Sequence, residues 1–573
     1  MGQPPQSTED AFAAFLSAEK RTQMLRLLPE VIDLLRRRRS VYLANESGPA
    51  VRFRPVDETE RHAIGSDYTE KVSEQISLPG SDDEIAYLSL IELADLLRRR
   101  ELTSRTLTQI YLARLKRHGP ALASVATLTE ERAMREAELA DEEIRRGHYR
   151  GVLHGVPWGA KDLLDTAGIS TCWGAEPYAG LDSRARTSGS GRVRIPDVDA
   201  AVVARLAGAG SVLAAKLSLG ALAYGDIWYG GRTNSPWDPR DGSSGSSAGS
   251  AASVAAGLVG FAIGTETMGS IVSPSLRCGT AGLRPTFGRV PRTGAMALCW
   301  SFDKIGPLCR SVRDCMPVLA AIAGSDGVDP DALTQSMRLP DREDLRGMKV
   351  GYDPAWFAED SVSESERSVL SILEQQGFVL HELSFPPLPY ESLMLLVYVE
   401  AAAAFEDLTS SGLDDTLTWQ ADDAWPNTFR TARLVPALDY VQVQRFRREL
   451  GHMMNDLFRQ VDFLVSPGTV GPLLLVTNAT GHPSLTLRSG FVERGSSETD
   501  TLADVPTRGG KFLRGPGVPA PVSPVPRGVN LWGRLWEEGT LCAAGEVLER
   551  ELDVWRLRPP VDSVSPFDRR AEQ

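Results

Sequence analysis

The stretch from Asp241 to Pro274 constrains the fold of this chain more than any other. It reads DGSSGSSAGSAASVAAGLVGFAIGTETMGSIVSP, and such a density of serine and glycine is also typical of flexible linkers. A linker is disfavoured, because an Ala/Val helix pattern over Ser250–Gly257 and the apolar run Leu258–Ile263 follow within the same stretch. A second glycine turn then precedes Ile271. The stretch therefore predicts serine-bearing turns held between buried core elements.

One chemistry for these serines is the nucleophile elbow. Residues 245–249 (GSSAG) fit the pattern G-x-S-x-G, which would make Ser247 the nucleophile. The elbow needs a preceding strand and a catalytic histidine downstream, but residues 234–242 contain two prolines and no strand pattern. The histidines that follow are His381, His452 and His482. The elbow is therefore the less favoured alternative.

The other chemistry uses a lysine as the general base. Lys161 lies in the apolar run His154–Gly168, where burial would lower its pKa until the amine is neutral near working pH. A buried lysine is unusual and needs an explanation. The plain alternatives are a lysine that reaches solvent or one that pairs with Asp162. Together with the serine-rich stretch, the pattern favours a catalytic Lys161.

The chain begins with a predicted helical N-terminal extension, residues 1–84. Helical periodicity runs from Ala11 to Arg39, and we expect the terminal Arg36–Arg39 in solvent, since cations suit a helix C-terminus. A polar connector with proline and glycine follows. The motifs that carry chemistry all come later, so we expect the extension to be separable from the chemistry.

From about Ile85 the pattern changes to that of a mixed α/β core. Short apolar stretches alternate with glycine-rich turns, and Val350 and Val379 lie in predicted strands. Residues 491–526 are rich in Gly, Pro and Ser and predict a long loop, while residues 556–573 predict a C-terminal tail. The predicted helices are Ser89–Arg99, Ser104–Arg117, Glu130–Arg146, Asp314–Gly324 and Ser363–Gln376.

Composition limits the partners. The formal net charge of −13 argues against nucleic acid as the main partner. The six cysteines form no C-x-x-C pair and no zinc spacing with histidine, so we expect buried thiols, no metal and no other cofactor. There is no signal-peptide pattern and no run near the roughly 18 apolar residues of a membrane span. We therefore expect a cytoplasmic protein that does not cross a membrane.

Several motifs together resemble those of the amidase signature family. Gly151–Asp162 (GVLHGVPWGAKD) is similar to the family's lysine motif, and Gly245–Gly257 (GSSAGSAASVAAG) with Gly264–Ser270 (GTETMGS) resembles its serine signature. The resemblance covers about residues 85–555 and implies an α/β fold, a twisted mixed β-sheet covered by helices on both sides. Further similar blocks, in the family's order, are Cys278–Arg292, Asp303–Pro307, Asn478–Pro483 and Pro526–Gly533.

The resemblance also implies the catalytic residues, a Ser–Ser–Lys triad. Ser270 would be the nucleophile, and Ser246, 24 residues earlier on a cis peptide bond, would relay its proton to neutral Lys161. In that register Ser243 and Ser244 are not catalytic. The oxyanion hole would be formed by the backbone N–H groups of Thr267, Met268, Gly269 and Ser270.

The chain departs from the family pattern at two positions. Met268 stands where many members have glycine, and Val272 stands where many have arginine. The methionine side chain would line the substrate pocket, for which Tyr224 and Trp300 are further candidates. The oligomeric state is open, a homodimer being one option.

The implied activity is hydrolysis of a small-molecule carboxylic amide, with ester and carbamate left open. The alternative is the glutamine-hydrolysing A-type subunit of a tRNA-dependent amidotransferase complex, a branch that shares the triad. The acidic balance and the N-terminal extension argue against that alternative.

Overall fold

The computed structural model describes residues 17–40, 66–69, 75–180, 193–494 and 523–562. At its centre lies one 11-stranded sheet. In chain order its strands are β1 (Val125–Leu128), β2 (Pro157–Lys161), β3 (Val212–Leu217), β4 (Phe261–Glu266), β5 (Ala281–Arg284), β6 (Lys304–Cys309), β7 (Lys349–Tyr352), β8 (Val379–Glu382), β9 (Phe463–Pro467), β10 (Ser484–Arg494) and β11 (Ser523–Gly533). The predicted strands at Val350 and Val379 are confirmed.

The sheet is mixed, as predicted. Its spatial order is β8-β7-β9-β11-β10-β5-β6-β4-β2-β3-β1. Strands β8, β7 and β9 run parallel to one another, as do β4, β2 and β3, and the remaining neighbours are antiparallel. Two further strand pairs are Ser66–Asp67 with Arg338–Leu339 and Ile227–Trp228 with Gly231–Arg232.

Helices cover both faces of the sheet. In β3, Leu213 belongs to the main hydrophobic core, whereas its neighbours Val212 and Ala214 belong to a second core that includes residues of the flanking helices. In β4, Phe261 and Ala262 divide in the same way. Because successive strand residues point to opposite faces, the sheet is buried on both sides. The expected α/β architecture is confirmed.

Helix starts follow the sequence signals closely. Ser89 and Ser363 are N-cap residues, and each forms a capping box with the glutamate three positions later, Glu92 and Glu366. The helices are Ala18–Arg39, Asp82–Ala86, Leu90–Arg99, Ser104–Leu122, Glu130–Arg145, Glu176–Ala179, Ala201–Gly208, Ala248–Ala255, Val272–Cys278, Cys315–Ile322, Pro354–Phe357, Glu364–Gln375, Met394–Ala404, Glu406–Ser410, Trp425–Ala432, Ala437–Phe458, Leu473–Thr480 and Glu538–Leu552.

The helix Ala18–Arg39, hereafter the N-terminal helix, packs against the body of the protein. Its residues Val31, Leu34 and Leu35 belong to the main core. The start of the predicted helix, residues 11–16, lies outside the described residues. The expectation that Arg36–Arg39 lies in solvent is wrong for Arg38, which is buried with its guanidinium 4.0 Å from the Asp439 carboxylate.

The prediction of a loop over residues 491–526 is wrong at both of its ends. Strand β10 continues to Arg494 and β11 begins at Ser523, so both ends of the predicted loop are strand. Residues 495–522 lie outside the described residues. The start of the predicted tail packs on the domain, since Arg556 donates to Glu92 Oε1 at 2.7 Å, and residues 563–573 are also outside the described residues.

The six cysteines are buried and unpaired, as predicted. Within the described ranges, no helix combines the length and the apolar character needed to cross a membrane.

Candidate active site

Lys161 ends strand β2 inside the molecule. The strand is buried along its whole length, because β3 and β4 pair with it on its two sides. The side chain is 0% exposed. Its Nζ donates to Ser246 Oγ at 2.9 Å, to Ser247 Oγ at 3.0 Å and to Thr265 Oγ1 at 2.9 Å. The structure thus brings Lys161 and Ser246 into direct contact.

The carboxylate next in sequence does not neutralise Lys161. Asp162 Oδ1 instead accepts from Lys216 Nζ on β3 at 2.9 Å, and Lys216 also donates to Thr171 Oγ1 at 2.7 Å. Among the described residues, no carboxylate forms an ion pair with Lys161. The alternative of a lysine paired with Asp162 is therefore wrong.

The environment of Lys161 favours the neutral amine. Burial lowers the pKa of Lys161 to about 7, since the ammonium form is poorly solvated there. The more distant carboxyl groups of Asp303 and Glu266 oppose this shift. Above neutral pH, Nζ therefore has a lone pair that can accept a proton.

Ser246 follows a cis peptide bond, Gly245–Ser246, as the resemblance implied. A Cβ on Gly245 would lie 1.9 Å from the carbonyl oxygen of Gly225, so only glycine fits at this position. Ser247 supports the same turn, because its Oγ donates to Thr265 O at 3.1 Å and accepts from Lys161. The turn presents two hydroxyl groups to one buried amine.

The other serines of the cluster have partners other than Lys161. Ser243 Oγ donates to Ser244 O at 2.9 Å, and Ser250 Oγ donates to Ile263 O at 3.1 Å. The backbone N–H of Ser244 donates to Asp226 Oδ2 at 3.1 Å. The register counted from the sequence thus selects Ser246, one of the two serines whose hydroxyl groups contact Lys161.

Ser270 lies in the turn between β4 and the helix Val272–Cys278. The backbone N–H of Ser247 donates to Ser270 O at 3.2 Å, which ties the two serine-bearing turns together. Ser270 is 9% exposed. Its hydroxyl has no hydrogen-bond partner among the residues that the structure describes.

Glu266 fixes the residues that follow Ser270. Its Oε2 accepts from the backbone N–H groups of Ile271 at 2.7 Å and Val272 at 2.9 Å. Its Oε1 accepts from Arg284 Nη1 and Asn478 Nδ2, both at 2.8 Å. Burial acts to raise the pKa of Glu266, but the Arg284 guanidinium helps to hold it below its usual value. An ionised carboxylate therefore anchors this turn.

The turn Thr267–Ser270 carries the four backbone N–H groups predicted to form the oxyanion hole. Within the described part of the chain, none of them donates to a protein acceptor, whereas the next two are held by Glu266. Gly269 has a φ of 94°, a left-handed conformation that favours glycine. Uncommitted N–H groups are rare in buried turns and suit the stabilisation of an oxyanion.

Asp303 anchors the turn from its other side. Its Oδ1 accepts from Thr267 Oγ1 at 2.5 Å, and its Oδ2 accepts from the backbone N–H groups of Leu298 at 2.8 Å and Cys299 at 3.0 Å. The hydroxyl group of Thr267 therefore fixes the turn to Asp303, while its backbone N–H group has no acceptor among the described residues.

The three predicted pocket residues differ in their surroundings. Met268 is half-buried and packs on the main core. The ring of Tyr224 packs against the rings of Trp419 and Trp425, whose centroids are 4.9 and 5.0 Å away. Trp300 is 49% exposed, so a pocket wall built on it would be open to solvent.

Sequence reasoning missed several supporting residues. Lys216 carried the same signal as Lys161, a lysine within an apolar strand pattern, and could have been found. Glu266 and Asp303 lie inside the motifs but have partners that are distant in sequence, such as Arg284 and Asn478. Their roles become visible only in the fold.

The chemistry of the assembled groups is that of proton transfer. Over the described ranges, no group of three or more His, Cys, Asp or Glu side chains is placed to hold a metal ion. What surrounds Lys161 and Ser270 is an amine, hydroxyl groups and backbone N–H groups, which suit general base catalysis and the binding of an oxyanion.

Comparison with known proteins identifies the family. The family model described as Amidase matches residues 106–542. "Putative amidase AmiD" of Mycobacterium bovis is 33% identical over 84% of this chain and 97% of that protein. The A-type subunit of glutamyl-tRNA(Gln) amidotransferase from Chloroflexus aggregans is 30% identical over 83% of this chain and 99% of that protein. The native peptide amidase from Stenotrophomonas maltophilia superposes with a TM-score of 0.66 and 27% identity, over 82% of this chain and 98% of that one. The chain therefore belongs to the amidase family, hydrolases that act on carbon–nitrogen bonds.

Proposed function

We propose that this protein hydrolyses a carboxylic amide through an acyl-enzyme on Ser270, with Ser246 and Lys161 as the proton relay. The observation that carries the proposal is the 2.9 Å contact between Lys161 Nζ and Ser246 Oγ in a fully buried setting. Because no described carboxylate pairs with that amine, it can act as a base when neutral.

In the first half-reaction, Ser270 Oγ attacks the carbonyl carbon of the amide. Its proton passes to Ser246, whose own proton passes to Lys161 Nζ. The carbonyl oxygen becomes an oxyanion. The N–H groups of Thr267–Ser270 have no acceptor among the described residues, so they are available to stabilise it. The C–N bond then breaks, the leaving nitrogen takes a proton back through the relay, and Ser270 carries the acyl group as an ester.

In the second half-reaction, water attacks the ester carbon. The relay accepts a proton from the water as a new C–O bond forms. The bond to Ser270 Oγ then breaks, Ser270 regains its proton, and the carboxylic acid leaves. The same steps would cleave an ester or a carbamate.

A second candidate function is that of a glutamine-hydrolysing component in a tRNA-dependent complex. The similarity to the A-type subunit of glutamyl-tRNA(Gln) amidotransferase favours it. The net charge of −13 and the docked N-terminal helix favour the free-standing enzyme.

The purified chain alone tests the proposal. It is given aliphatic, aryl and peptide amides without tRNA or any partner, and the released amine or ammonia is measured together with the carboxylate. We expect turnover of at least one amide. Inactivity on all of them, with glutamine hydrolysis that appears only when amidotransferase partner proteins and tRNA are added, would support the second candidate instead.

A further inference from the structure

The N-terminal helix is attached to residues 413–432, hereafter the bracing segment. Gln23 makes the central contacts: its Nε2 donates to Gln420 O at 2.8 Å, and its backbone oxygen accepts from Asn427 Nδ2 at 3.2 Å. Its Oε1 accepts from Arg430 Nη1 at 3.4 Å. One residue of the helix therefore contacts three positions of the bracing segment.

Charged groups reinforce the same attachment. Lys20 Nζ lies 2.5 Å from Asp415 Oδ2. Arg430 Nη2 lies 2.5 Å from Asp414 Oδ2 and 3.2 Å from Asp415 Oδ1, with Arg430 and Asp414 both buried. The Asp415 carboxylate is thus shared between the helix and the bracing segment. Because part of this network is buried, solvent screens it less than an ordinary surface pair.

Two rings of the bracing segment, Trp419 and Trp425, pack against Tyr224, and the three residues are hereafter the aromatic wall. The rings of Trp419 and Trp425 lie 4.9 and 5.0 Å from the ring of Tyr224. Trp425 Nε1 donates to Leu222 O at 3.0 Å. The bracing segment therefore contacts both the N-terminal helix and residues 222–224.

The backbone of residues 222–223 depends on this support. Leu222 and Ala223 have φ values of 53° and 61°, a left-handed conformation that is unfavourable for residues other than glycine. Such a conformation persists where its surroundings hold it. Here Trp425 binds the carbonyl of Leu222, and Leu222 N donates to Trp173 O at 2.9 Å.

The supported backbone leads directly to the catalytic turn. Gly225 follows Tyr224, and its carbonyl oxygen lies so close to Gly245 that a Cβ there would be 1.9 Å from it. Ser246, the next residue, contacts Lys161. Continuous contacts thus run from the N-terminal helix through the bracing segment and the aromatic wall to the Gly245–Ser246 bond.

We propose that the N-terminal helix is a positioning element of the active site. It holds the bracing segment so that the aromatic wall stands beside the Gly245–Ser246 bond and receives an aromatic or other large apolar group of the amide substrate. Aromatic side chains offer such a group a rigid apolar surface. This inference rests on the proposed function, because it assigns a substrate class to the same site.

The test uses the full chain with Lys20→Ala and Gln23→Ala combined. The matched control is Lys116→Ala, which removes the exposed ion pair with Glu130 on another helix. Kinetics are measured on benzamide and on propionamide. In the double variant we expect KM for benzamide to rise about three- to tenfold, with kcat and both propionamide constants within about twofold. Trp419→Ala should also raise KM for benzamide. Lys20→Arg keeps the positive charge, so its KM for benzamide should stay close to that of the unaltered protein.

Hydrogen–deuterium exchange of residues 222–225 and 245–246 gives a readout that does not need turnover. We expect faster exchange there in the double variant and no change in the control. Unchanged exchange with unchanged KM for benzamide would overturn the inference, as would an equal loss of kcat on both amides. If the unaltered protein hydrolyses no amide, the proposed function fails, and exchange alone decides whether the helix positions this region.

Discussion

Two buried lysines lie on neighbouring parallel strands and have different partners. Lys161 ends β2 and Lys216 lies in β3, and both are 0% exposed. Lys216 pairs with the Asp162 carboxylate at 2.9 Å, whereas Lys161 contacts the hydroxyls of Ser246, Ser247 and Thr265. The residue type and the burial are the same, so the difference in role must come from the partners.

The partners give the two sites different electrostatics. Lys216 and Asp162 form a buried ion pair that ties β3 to the residue after β2. Hydroxyl groups do not compensate a buried positive charge, so burial lowers the pKa of Lys161 to about 7. The Lys216 site holds an ion pair, whereas the Lys161 site can exchange protons.

A third buried lysine shows that a lowered pKa is not sufficient for a base. Burial lowers the pKa of Lys304 well below its ordinary value. Its Nζ donates to the carbonyl oxygens of Phe302 and, at 3.5 Å, Asn478. Carbonyl groups have no proton to pass on, so Lys304 lacks the kind of hydroxyl contact that Ser246 makes with Lys161.

The largest expected effect is the loss of labelling and turnover when the proposed catalytic serines, Ser270 and Ser246, are replaced. Ser270→Ala should abolish covalent labelling by a fluorophosphonate, because the attacking oxygen is removed. Ser246→Ala should lower turnover about 10²–10⁴-fold through loss of the proton relay. Ser243→Ala is the matched control and should be nearly silent, because among the described residues the Ser243 hydroxyl contacts a backbone carbonyl alone. Peptide mapping of the labelled protein checks this, and a tag on Ser247 would favour the nucleophile elbow.

Removing the amine of Lys161 should affect rate and spare stability. We expect Lys161→Met to lower turnover about 10²–10⁴-fold, since no described group replaces the base. The free energy of unfolding should change little or rise, because a buried amine without a counter-charge is replaced by an apolar side chain. Steady-state kinetics and urea denaturation measure the two. Near-normal turnover would contradict a role for Lys161 as the base.

Removing the amine of Lys216 should lower the stability of the fold rather than the rate of the folded enzyme. Lys216→Met leaves Asp162 buried without its partner and should lower the free energy of unfolding by about 3–5 kcal/mol. Adding Asp162→Asn removes that uncompensated charge and should recover part of the loss. Urea denaturation of the two variants measures this. A Lys216→Met variant as stable as the original, with turnover lost, would give Lys216 a role in catalysis.

The resemblance to the amidase signature family implied that Ser246 passes its proton to Lys161, and the structure places the two side chains in contact. The sequence itself predicted helix starts such as Ser89 and Ser363, since capping is local. It did not predict the docking of the N-terminal helix, because periodicity identifies an apolar face but not the surface that it covers. The N-terminal helix packs against the helix Trp425–Ala432, which lies about 400 residues later in the chain, as the contact between Gln23 and Asn427 illustrates. Long-range partners of this kind have no local signal.

The smallest expected effect is the pH dependence of kcat/KM. With the pKa of Lys161 at about 7, the amine gains a proton as the pH falls through 7, loses its lone pair and can no longer accept a proton from Ser246. The rate should therefore fall about tenfold per pH unit below about pH 6 and level off above about pH 8. Lys161→Met should lose this dependence in its residual activity. The folded fraction of Lys216→Met should keep it, because its partner Asp162 lies outside the relay. A profile that is flat from pH 5 to 9, or one that rises only near pH 10.5, would mean that the two lysines do not differ in the way their partners indicate.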